Sequence, residues 1–192
     1  MNGQKKLSPL KVQPNISICE EMAAFLREQL SCGAFSYALE FGTGTGGSTE
    51  VIAPYVKKLI TVDNRQDCAD FTANRLRHLG NVIYLVGYER VNIERLVPYR
   101  FDFVFIDGPF DIRKRYTAFQ HWYPLIADNA LIVLDDCRHK RGKAMLEHMA
   151  KDYGFQITVW EERARGIGVF RNVLGTEGRV VFIREEGGDK NE

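Results

Sequence analysis

The sequence has no apolar run of the roughly 20 residues that a membrane-spanning helix needs. It also has no excess of charge of one sign, because 26 Lys and Arg residues stand against 25 Asp and Glu residues, a net charge of +1. Such a balance gives no overall attraction to nucleic acid or to a membrane surface. The segment Met1 to Ser8 is polar and lacks the apolar core of a signal peptide. We therefore expect a cytoplasmic protein without a nucleic-acid or membrane partner.

Cysteine is also scarce, and the four cysteines contain no Cys-x-x-Cys pair. Their spacing fits neither a disulfide framework nor a zinc site. We interpret Cys19, Cys32, Cys68 and Cys137 as reduced thiols that act as small buried side chains.

The chain is long enough for one domain with a substantial core, because it has 192 residues and a hydrophobic content of 45%. Both ends are polar, and the C-terminal end contains paired glycines. We predict flexible ends at residues 1–11 and 185–192 and a single domain over residues 12–184.

Strand patterns and helix patterns alternate along the chain. Strands are expected at 37–41, 58–63, 81–86, 101–106, 130–134 and 155–160, and helices at 16–30, 48–55, 66–79, 91–96, 113–123 and 141–153. We expect Gly80 to end the helix at 66–79 in the left-handed conformation. Two more strand-like segments, 167–170 and 179–183, follow without a helix between them. The pattern predicts a doubly wound, Rossmann-like α/β fold. Its sheet is mostly parallel and seven-stranded, with helices on both faces and an antiparallel strand near the C-terminus.

A glycine-rich loop is the most informative segment of the chain. The first predicted strand reaches Glu40, and glycine then alternates with threonine from Gly42 to Gly46 before a predicted helix. Glycine permits positive φ and lets a ligand approach the backbone, and the start of a helix presents unpaired N–H groups. The segment predicts a nucleotide-sized site that contains Glu40, Gly42, Thr43, Gly44, Gly46, Ser48 and Thr49.

Further polar residues stand where the next strands are predicted to end. Ligands of open parallel sheets bind beyond the carboxyl ends of the strands. Asp63 follows the loop by about 20 residues, the position at which an acid accepts hydrogen bonds from ribose hydroxyls. We expect the same cofactor site to include Asn64, Gly87, Tyr88 and Asp107.

Asp107 follows the fourth predicted strand, and Asp135 and Asp136 follow the fifth. Three carboxylates brought together repel one another, and a hard divalent cation with oxygen ligands relieves that repulsion. Two other interpretations remain open. Asp135 and Asp136 could cap the following helix or pair with nearby basic residues, or the acids could act directly in proton transfer.

Taken together, these motifs resemble the class I S-adenosylmethionine-dependent methyltransferases over nearly the whole chain. The segment from Glu40 to Gly46 is similar to the first motif of that class, and Asp63 matches the acid that holds the ribose of the cofactor. Segments 103–108 and 131–136 are similar to the small metal-dependent O-methyltransferases of the catechol and macrocin types. The resemblance implies S-adenosylmethionine as cofactor and Mg²⁺ bound by Asp107, Asp135 and Asp136.

The sequence departs from that group just after Asp107, where Pro109-Phe110 stands in place of the usual histidine or lysine. A general base must then come from elsewhere. We name His139 as a catalytic candidate beside Asp107, and Lys140, His121, Arg113 and Lys114 remain as other candidates. Four aromatic residues could line the acceptor pocket, although a core position is the favoured interpretation for each, namely Phe110, Tyr116, Trp122 and Trp160.

The resemblance implies methyl transfer to a hydroxyl of a small-molecule acceptor, and a homodimer is an open expectation. Three other functions remain open. Asp107-Gly108-Pro109-Phe110 is faintly similar to the Asp-Pro-Pro-Tyr/Phe loop of amino methyltransferases. The glycine loop with Asp63 would also suit a NAD-binding Rossmann protein. A non-catalytic module that binds a cofactor is the third alternative.

Overall fold

The computed structural model of the chain describes residues 18–109, 111–135, 140–153, 156–160, 167–171 and 181–182. The ends that we predicted to be flexible, residues 1–11 and 185–192, therefore lie outside the described residues. Among the described residues, no helix combines the length and the apolar character that crossing a bilayer requires.

Strands and helices alternate in chain order, as the hydrophobic pattern predicted. The strands are β1 Tyr37–Phe41, β2 Lys58–Asp63, β3 Val82–Val86, β4 Phe101–Ile106, β5 Ile126–Leu134, β6 Gln156–Trp160, β7 Ile167–Arg171 and β8 Val181–Phe182. The α-helices are α1 Glu20–Ser31, α2 Gly47–Ile52, α3 Gln66–Arg75, α4 Ile112–Trp122 and α5 Lys140–Tyr153. Short 3₁₀ helices span Ala53–Tyr55, Ile93–Leu96 and Tyr123–Leu125.

The strands form one sheet in the order β3-β2-β1-β4-β5-β7-β6-β8. The first five strands in this order run parallel to their neighbours, which confirms the predicted Rossmann-like α/β arrangement. β7 runs antiparallel to both β5 and β6, and the two-residue β8 pairs in parallel with β6. The described residues thus place eight strands in the sheet, where the sequence predicted seven.

Each face of the parallel sheet is covered by its own helices and hydrophobic cluster. On one face, strand residues such as Leu39 and Ile106 pack with Phe119 and Trp122 of α4 and with Met145 of α5. On the other face, strand residues pack against α1 and α2, which contribute Met22, Phe25, Leu26, Leu30, Val51 and Ile52. The carboxyl ends of the strands are therefore supported from both sides of the sheet.

Several predicted helix ends differ from the structure. α3 ends at Arg75 rather than at residue 79. The chain then forms a turn, in which Leu76 N–H donates to the Thr72 carbonyl and Leu79 N–H donates to the Leu76 carbonyl. Gly80 follows that turn and does not adopt the left-handed conformation, so its predicted role as a helix stop is wrong. α2 ends at Ile52, and the last turn tightens to a 3₁₀ helix that contains Pro54. The predicted helix at 91–96 is only the 3₁₀ turn at Ile93–Leu96.

The prediction for the cysteines is right for one position and wrong for two. Cys68 is a free, buried thiol of α3, as expected. Cys19 and Cys32 are free but exposed, because they flank α1 at its two ends and lie outside its buried face. Cys137 lies outside the described residues.

Candidate functional site

The strand order creates a crevice at the carboxyl ends of β1 and β4. The chain leaves β1 toward β2 on one side, and β4 pairs with the other side of β1. Such a switch point is where open α/β sheets bind ligands. Two backbone hydrogen bonds keep the three strand ends in step: Gly42 N–H donates to the Val62 carbonyl at 2.8 Å, and Asp107 N–H donates to the Phe41 carbonyl at 2.9 Å.

A cavity of about 300 Å³ opens at this switch point. It is lined by Ile18, Gly42, Thr43, Gly44, Ser48, Asp63, Asn64, Arg65, Tyr88, Asp107, Gly108 and Pro109. Most of the residues that the sequence predicted for the cofactor site are thus brought together. The four predicted residues that do not line the cavity are Glu40, Gly46, Thr49 and Gly87.

At the cavity wall, two glycines allow the backbone segments that follow β1 and β4 to lie close together. Gly42 has a φ of 98°, and a Cβ atom there would lie 3.0 Å from the Gly108 nitrogen. A Cβ atom on Gly108 would lie 2.6 Å from the Tyr88 hydroxyl oxygen and 3.0 Å from Gly42 Cα. Contacts below about 3.0 Å force a shift, so the two backbone segments approach this closely only because both residues lack a side chain. The sequence analysis placed Gly108 at the end of the fourth strand but did not name it among the cofactor-binding residues.

Asp63 joins the end of β2 to the glycine loop. Its Oδ2 accepts a hydrogen bond from Gly44 N–H at 3.0 Å, and its Oδ1 accepts one from Arg65 N–H at 2.9 Å. A carboxylate offers about four lone-pair sites, so two such bonds leave acceptor capacity for a ligand hydroxyl. The side chain therefore shapes the loop and faces the cavity at the same time.

A buried polar cluster supports the glycine loop from beneath. Thr49 Oγ1 donates to Glu40 Oε2 at 2.6 Å, and the hydroxyls of Thr43 and Thr61 are 2.7 Å apart. Thr72 of α3 donates to the Gly44 carbonyl at 3.1 Å. Glu40 and Thr49 thus belong to the support of the loop rather than to the cavity wall.

Glu40 is fully buried, and burial raises the pKa of its carboxyl to about 7, although the hydroxyls of Ser48, Thr49 and Thr61 act in the opposite direction. Its Oε1 has no hydrogen-bond partner within the described part of the chain. Strand register places Glu40 beside Thr61 and Thr61 beside Tyr84. Burial, and then the charge of Glu40, also raise the pKa of Tyr84. A carboxyl with a pKa near 7 is partly protonated at neutral pH.

Tyr88 forms part of the cavity wall, where its hydroxyl lies close to Gly108. Its ring centroid lies 5.8 Å from that of Phe41, and its carbonyl accepts a hydrogen bond from Trp122 Nε1 at 2.8 Å. Burial raises the pKa of its hydroxyl far above the ordinary value, so Tyr88 is neutral. Trp122 is fully buried in the core with its N–H already engaged, so it takes the core position that the sequence analysis favoured over the acceptor pocket.

Of the other aromatic residues predicted for the pocket, Tyr116 does not line the cavity. The Tyr116 hydroxyl donates to the carboxylate of Asp152, and the Tyr116 ring packs near His148. Phe110 and the side chain of Trp160 lie outside the described residues.

The acids after β4 and β5 are neighbours. Ile106 pairs with Leu134, and Asp135 N–H donates to the Ile106 carbonyl at 3.0 Å, so Asp107 and Asp135 directly follow the paired ends of β4 and β5. Asp107 lines the cavity, whereas Asp135 is buried with 3% of its surface exposed. Asp136 lies outside the described residues. Two adjacent carboxylates fit part of the oxygen ligand set of a hard cation, but within the described residues no cluster of three potential metal ligands is found.

Arg115 is a residue at the edge of the site that the sequence analysis missed. Its side chain is buried, its Nε donates to the Pro109 carbonyl at 2.9 Å, and its Nη1 donates to the Asp135 carbonyl at 3.1 Å. A signal was present, because Arg115 shares its helical face with Ala118, Phe119 and Trp122 at spacings of three, four and seven residues. A basic residue within an apolar stripe indicates a buried cation rather than a solvated one.

The candidate bases lie elsewhere or outside the described residues. His121 Nε2 lies 3.0 Å from the Val91 carbonyl and does not line the cavity. Arg113 and Lys114 are exposed in the first turn of α4, where their N–H groups donate to Asp111 Oδ1. His139 and the side chain of Lys140 lie outside the described residues.

Comparisons with known proteins point to one family. The model of a family described as a methyltransferase domain matches residues 39–137, a little over half of the chain. The curated protein-L-isoaspartate O-methyltransferase of Nitrobacter winogradskyi is 35% identical over 68 residues, which cover 34% of this chain. The match spans 31% of that relative's length, about a third.

Solved structures share the fold. An O-methyltransferase from Bacillus cereus, solved with S-adenosylhomocysteine, has a TM-score of 0.66 at 17% identity and covers 83% of this chain and 84% of its own. The O-methyltransferase TomG from Streptomyces achromogenes, solved with S-adenosylmethionine, has a TM-score of 0.62 at 18% identity, with 83% of each chain covered. At these identities the likeness establishes the fold of the chain.

Proposed function

This chain belongs to the methyltransferase family whose domain model matches residues 39–137, and on that premise we propose that it is an S-adenosylmethionine-dependent methyltransferase. We further propose that its acceptor is a hydroxyl group of a small molecule. The matched segment begins within β1 and ends just past Asp136, so it contains the glycine loop, Asp63 and the three acids after β4 and β5.

One observation carries the proposal. A single cavity at the switch point between β1 and β4 is lined by the glycine loop, by Asp63 and by Asp107, three features on three different strand ends. A nucleoside with an amino-acid arm needs this combination, because the loop admits close approach of the ligand to the backbone and the acid accepts from ribose hydroxyls. The carboxyl of Glu40 is buried beneath the loop and places a polar group there. Its Oε1 has no hydrogen-bond partner within the described residues.

When bound, S-adenosylmethionine supplies a methyl group on a sulfonium sulfur, and S-adenosylhomocysteine is the leaving group. The residues of this chain contribute mainly orientation and exclusion of water. Gly42 and Gly108 bring the ends of β1 and β4 together, and neutral Tyr88 closes the wall beside them without adding charge. We propose Asp107, which lines the same cavity, as the candidate to accept the proton of the acceptor hydroxyl.

We also propose the finer assignment that resemblance to metal-dependent O-methyltransferases implies. Asp107 and Asp135, which follow the paired ends of β4 and β5, together with Asp136 would hold Mg²⁺. The ion would supply Lewis acidity that lowers the pKa of an acceptor hydroxyl. The donor chemistry of the two described carboxylates supports this assignment.

Two further parts of the proposal concern the whole protein. We propose a cytoplasmic location, supported by the three free thiols among the described residues. We also propose that β7, which runs between β5 and β6, is the antiparallel strand that the sequence predicts near the C-terminus; the residue register of β5 with β7 supports this.

The function is tested by incubating the protein with S-adenosylmethionine that carries a tritiated methyl group and with a panel of small acceptors. Each hydroxyl acceptor, such as catechol, is paired with its amine counterpart, such as ortho-phenylenediamine. We expect label in hydroxyl acceptors together with release of S-adenosylhomocysteine. Label only in amine acceptors would contradict the choice of oxygen, and an absence of label across the panel would contradict the proposed reaction.

A further inference from the structure

Arg115 is a buried cation at a position where a helix disfavours one. Asp111 caps α4, and Arg115 N–H donates to the Asp111 carbonyl at 2.9 Å, which places Arg115 in the first turn. The start of a helix carries partial positive charge, so basic side chains there are unfavourable. Burial adds a desolvation cost, because only 4% of the residue is exposed. Because both its place in the helix and its burial are unfavourable for a cation, we expect Arg115 to have a compensating role at the edge of the site.

The contacts of the guanidinium indicate what that role is. Nε donates to the carbonyl of Pro109, which lines the cavity after β4. Nη1 donates to the carbonyl of Asp135, which begins the loop after β5 and does not line the cavity. Because the donors of a guanidinium are held in one rigid fork, a shift of either carbonyl is passed to the other.

The charge of Arg115 also reaches the cavity. The pKa of Tyr88 is raised first by burial and then by the charge of Asp63, and the charge of Arg115 opposes that rise while the charge of Asp107 adds to it. Arg115 and Asp107 therefore act with opposite sign on the same hydroxyl at the cavity wall. The buried guanidinium therefore supplies positive charge near the acidic side chains of the site.

Resting on the function proposed above, we propose that Arg115 is a positioning residue for methyl transfer, which couples the cavity wall at Pro109 to the end of β5 at Asp135. Occupation of the cavity is thereby transmitted to Asp135, which does not itself line the cavity. The acid after β5 takes its working position only when the wall after β4 is in place.

Amide hydrogen exchange, read by mass spectrometry with and without S-adenosylhomocysteine, tests this coupling. The variants are Arg115→Gln and Arg115→Lys, and the controls are Arg77→Gln and Arg77→Lys, since Arg77 is exposed in the turn after α3. In the unaltered protein and the controls, we expect the ligand to slow exchange in the peptides that end β4 and in those that end β5. In Arg115→Gln the β4 end remains protected, whereas exchange at the β5 end is about tenfold faster, the effect of losing a hydrogen bond to a charged group.

The lysine variant separates positioning from packing. A lysine keeps the charge but has one compact ammonium group, so it reaches one of the two carbonyls. We expect Arg115→Lys to retain the melting temperature and the S-adenosylhomocysteine affinity while ligand protection at the β5 end is lost. With an accepted hydroxyl acceptor, kcat falls and the cofactor affinity does not change.

Two results would overturn the proposal. Equal ligand protection at the β5 end in Arg115→Gln and in the unaltered protein would show that no coupling passes through the guanidinium. Faster exchange spread over α4 and all the central strands would show a general packing role. If the unaltered protein binds no S-adenosylhomocysteine, the proposed function fails. Free-protein exchange at the two strand ends then still decides the role of Arg115.

Discussion

The carboxylate of Asp63 accepts a hydrogen bond from the backbone N–H of Gly44, with 3.0 Å between Oδ2 and the nitrogen. This bond ties the end of β2 to the centre of the glycine loop after β1. The acid that the sequence suggested as a ribose partner therefore also sets the conformation of the loop that would surround the rest of the cofactor. Loop shape and ligand recognition depend on one side chain.

Replacing Asp63 with Asn should weaken cofactor binding by about tenfold to a hundredfold, the range expected for a hydrogen bond to a charged group. The amide retains one acceptor oxygen, but its NH₂ group would face a backbone N–H of either Gly44 or Arg65. Calorimetric titration with S-adenosylhomocysteine measures the change. Asp70→Asn is the matched control, because Asp70 is exposed on α3 and bonded to Gln66. Equal affinity of Asp63→Asn and the control would argue against a role for Asp63 in the site.

Gly108→Ala should lower the free energy of unfolding by about 2 kcal/mol or more, because overpacking costs about 1–3 kcal/mol. The new methyl group would lie 2.6 Å from the Tyr88 hydroxyl oxygen and 3.0 Å from Gly42 Cα. Gly80→Ala is the matched control, since a Cβ atom there has nothing within 4 Å and the backbone is not left-handed. Urea unfolding of both variants decides the point, and similar stability losses would show that the close approach at Gly108 is not tight.

Glu40 should make stability depend on pH in a defined direction. Its pKa is about 7 in the folded protein against an ordinary value of 4.5, so the folded state holds a proton that the unfolded chain releases within this window. Unfolding free energy therefore falls as the pH rises from about 4.5 to about 7, by about 3 kcal/mol at most. Glu40→Gln removes the titrating group, and its stability relative to the unaltered protein should rise over the same window.

Urea unfolding at about pH 4.5 and about pH 8 measures this difference. Glu94→Gln is the control, because Glu94 is exposed in a 3₁₀ turn and its side chain makes no hydrogen bond within the described part of the chain. A constant difference between Glu40→Gln and the unaltered protein at both pH values would mean that Glu40 does not titrate there.

Removing divalent ions should abolish methyl transfer, and adding Mg²⁺ should restore it. Asp107→Asn should weaken Mg²⁺ binding by at least about tenfold, because a hard cation loses a charged oxygen ligand. Calorimetric titration with Mg²⁺ provides a readout that does not depend on turnover. Asp128→Asn, an exposed position in β5, is the control. Full transfer in the presence of a chelator would remove the metal from the proposed reaction.

The sequence predicted the parallel part of the fold well, because buried strands leave continuous apolar runs. β1, β2 and β4 have the predicted bounds, and their burial on both faces explains why segments such as Phe101–Ile106 could be recognised. Helix ends were predicted less well. Tertiary packing and a local turn end α3 at Arg75, and Gly80 alone does not indicate where the helix ends.

Residues of the cavity could be predicted from the sequence only where a recognisable strand is followed directly by a characteristic polar or glycine residue. Asp63, Asp107 and the glycine loop each follow a recognisable strand, and the structure brings them to one cavity. Gly108 and Arg115 depend on contacts between segments that are distant in sequence: Gly108 with Gly42, and Arg115 with Asp135. Similarly, the sequence favoured a core position for Trp122, but nothing local indicated that its Nε1–H donates to the Tyr88 carbonyl.

Calorimetric titration of the unaltered protein with S-adenosylhomocysteine and, separately, with NAD tests the central claim most directly. The account predicts saturable one-to-one binding of S-adenosylhomocysteine, weakened by Asp63→Asn and unaffected by Asp70→Asn, and no saturable binding of NAD. Saturable binding of NAD without binding of S-adenosylhomocysteine would contradict it, because the cavity between the glycine loop, Asp63 and Asp107 would then hold a dinucleotide.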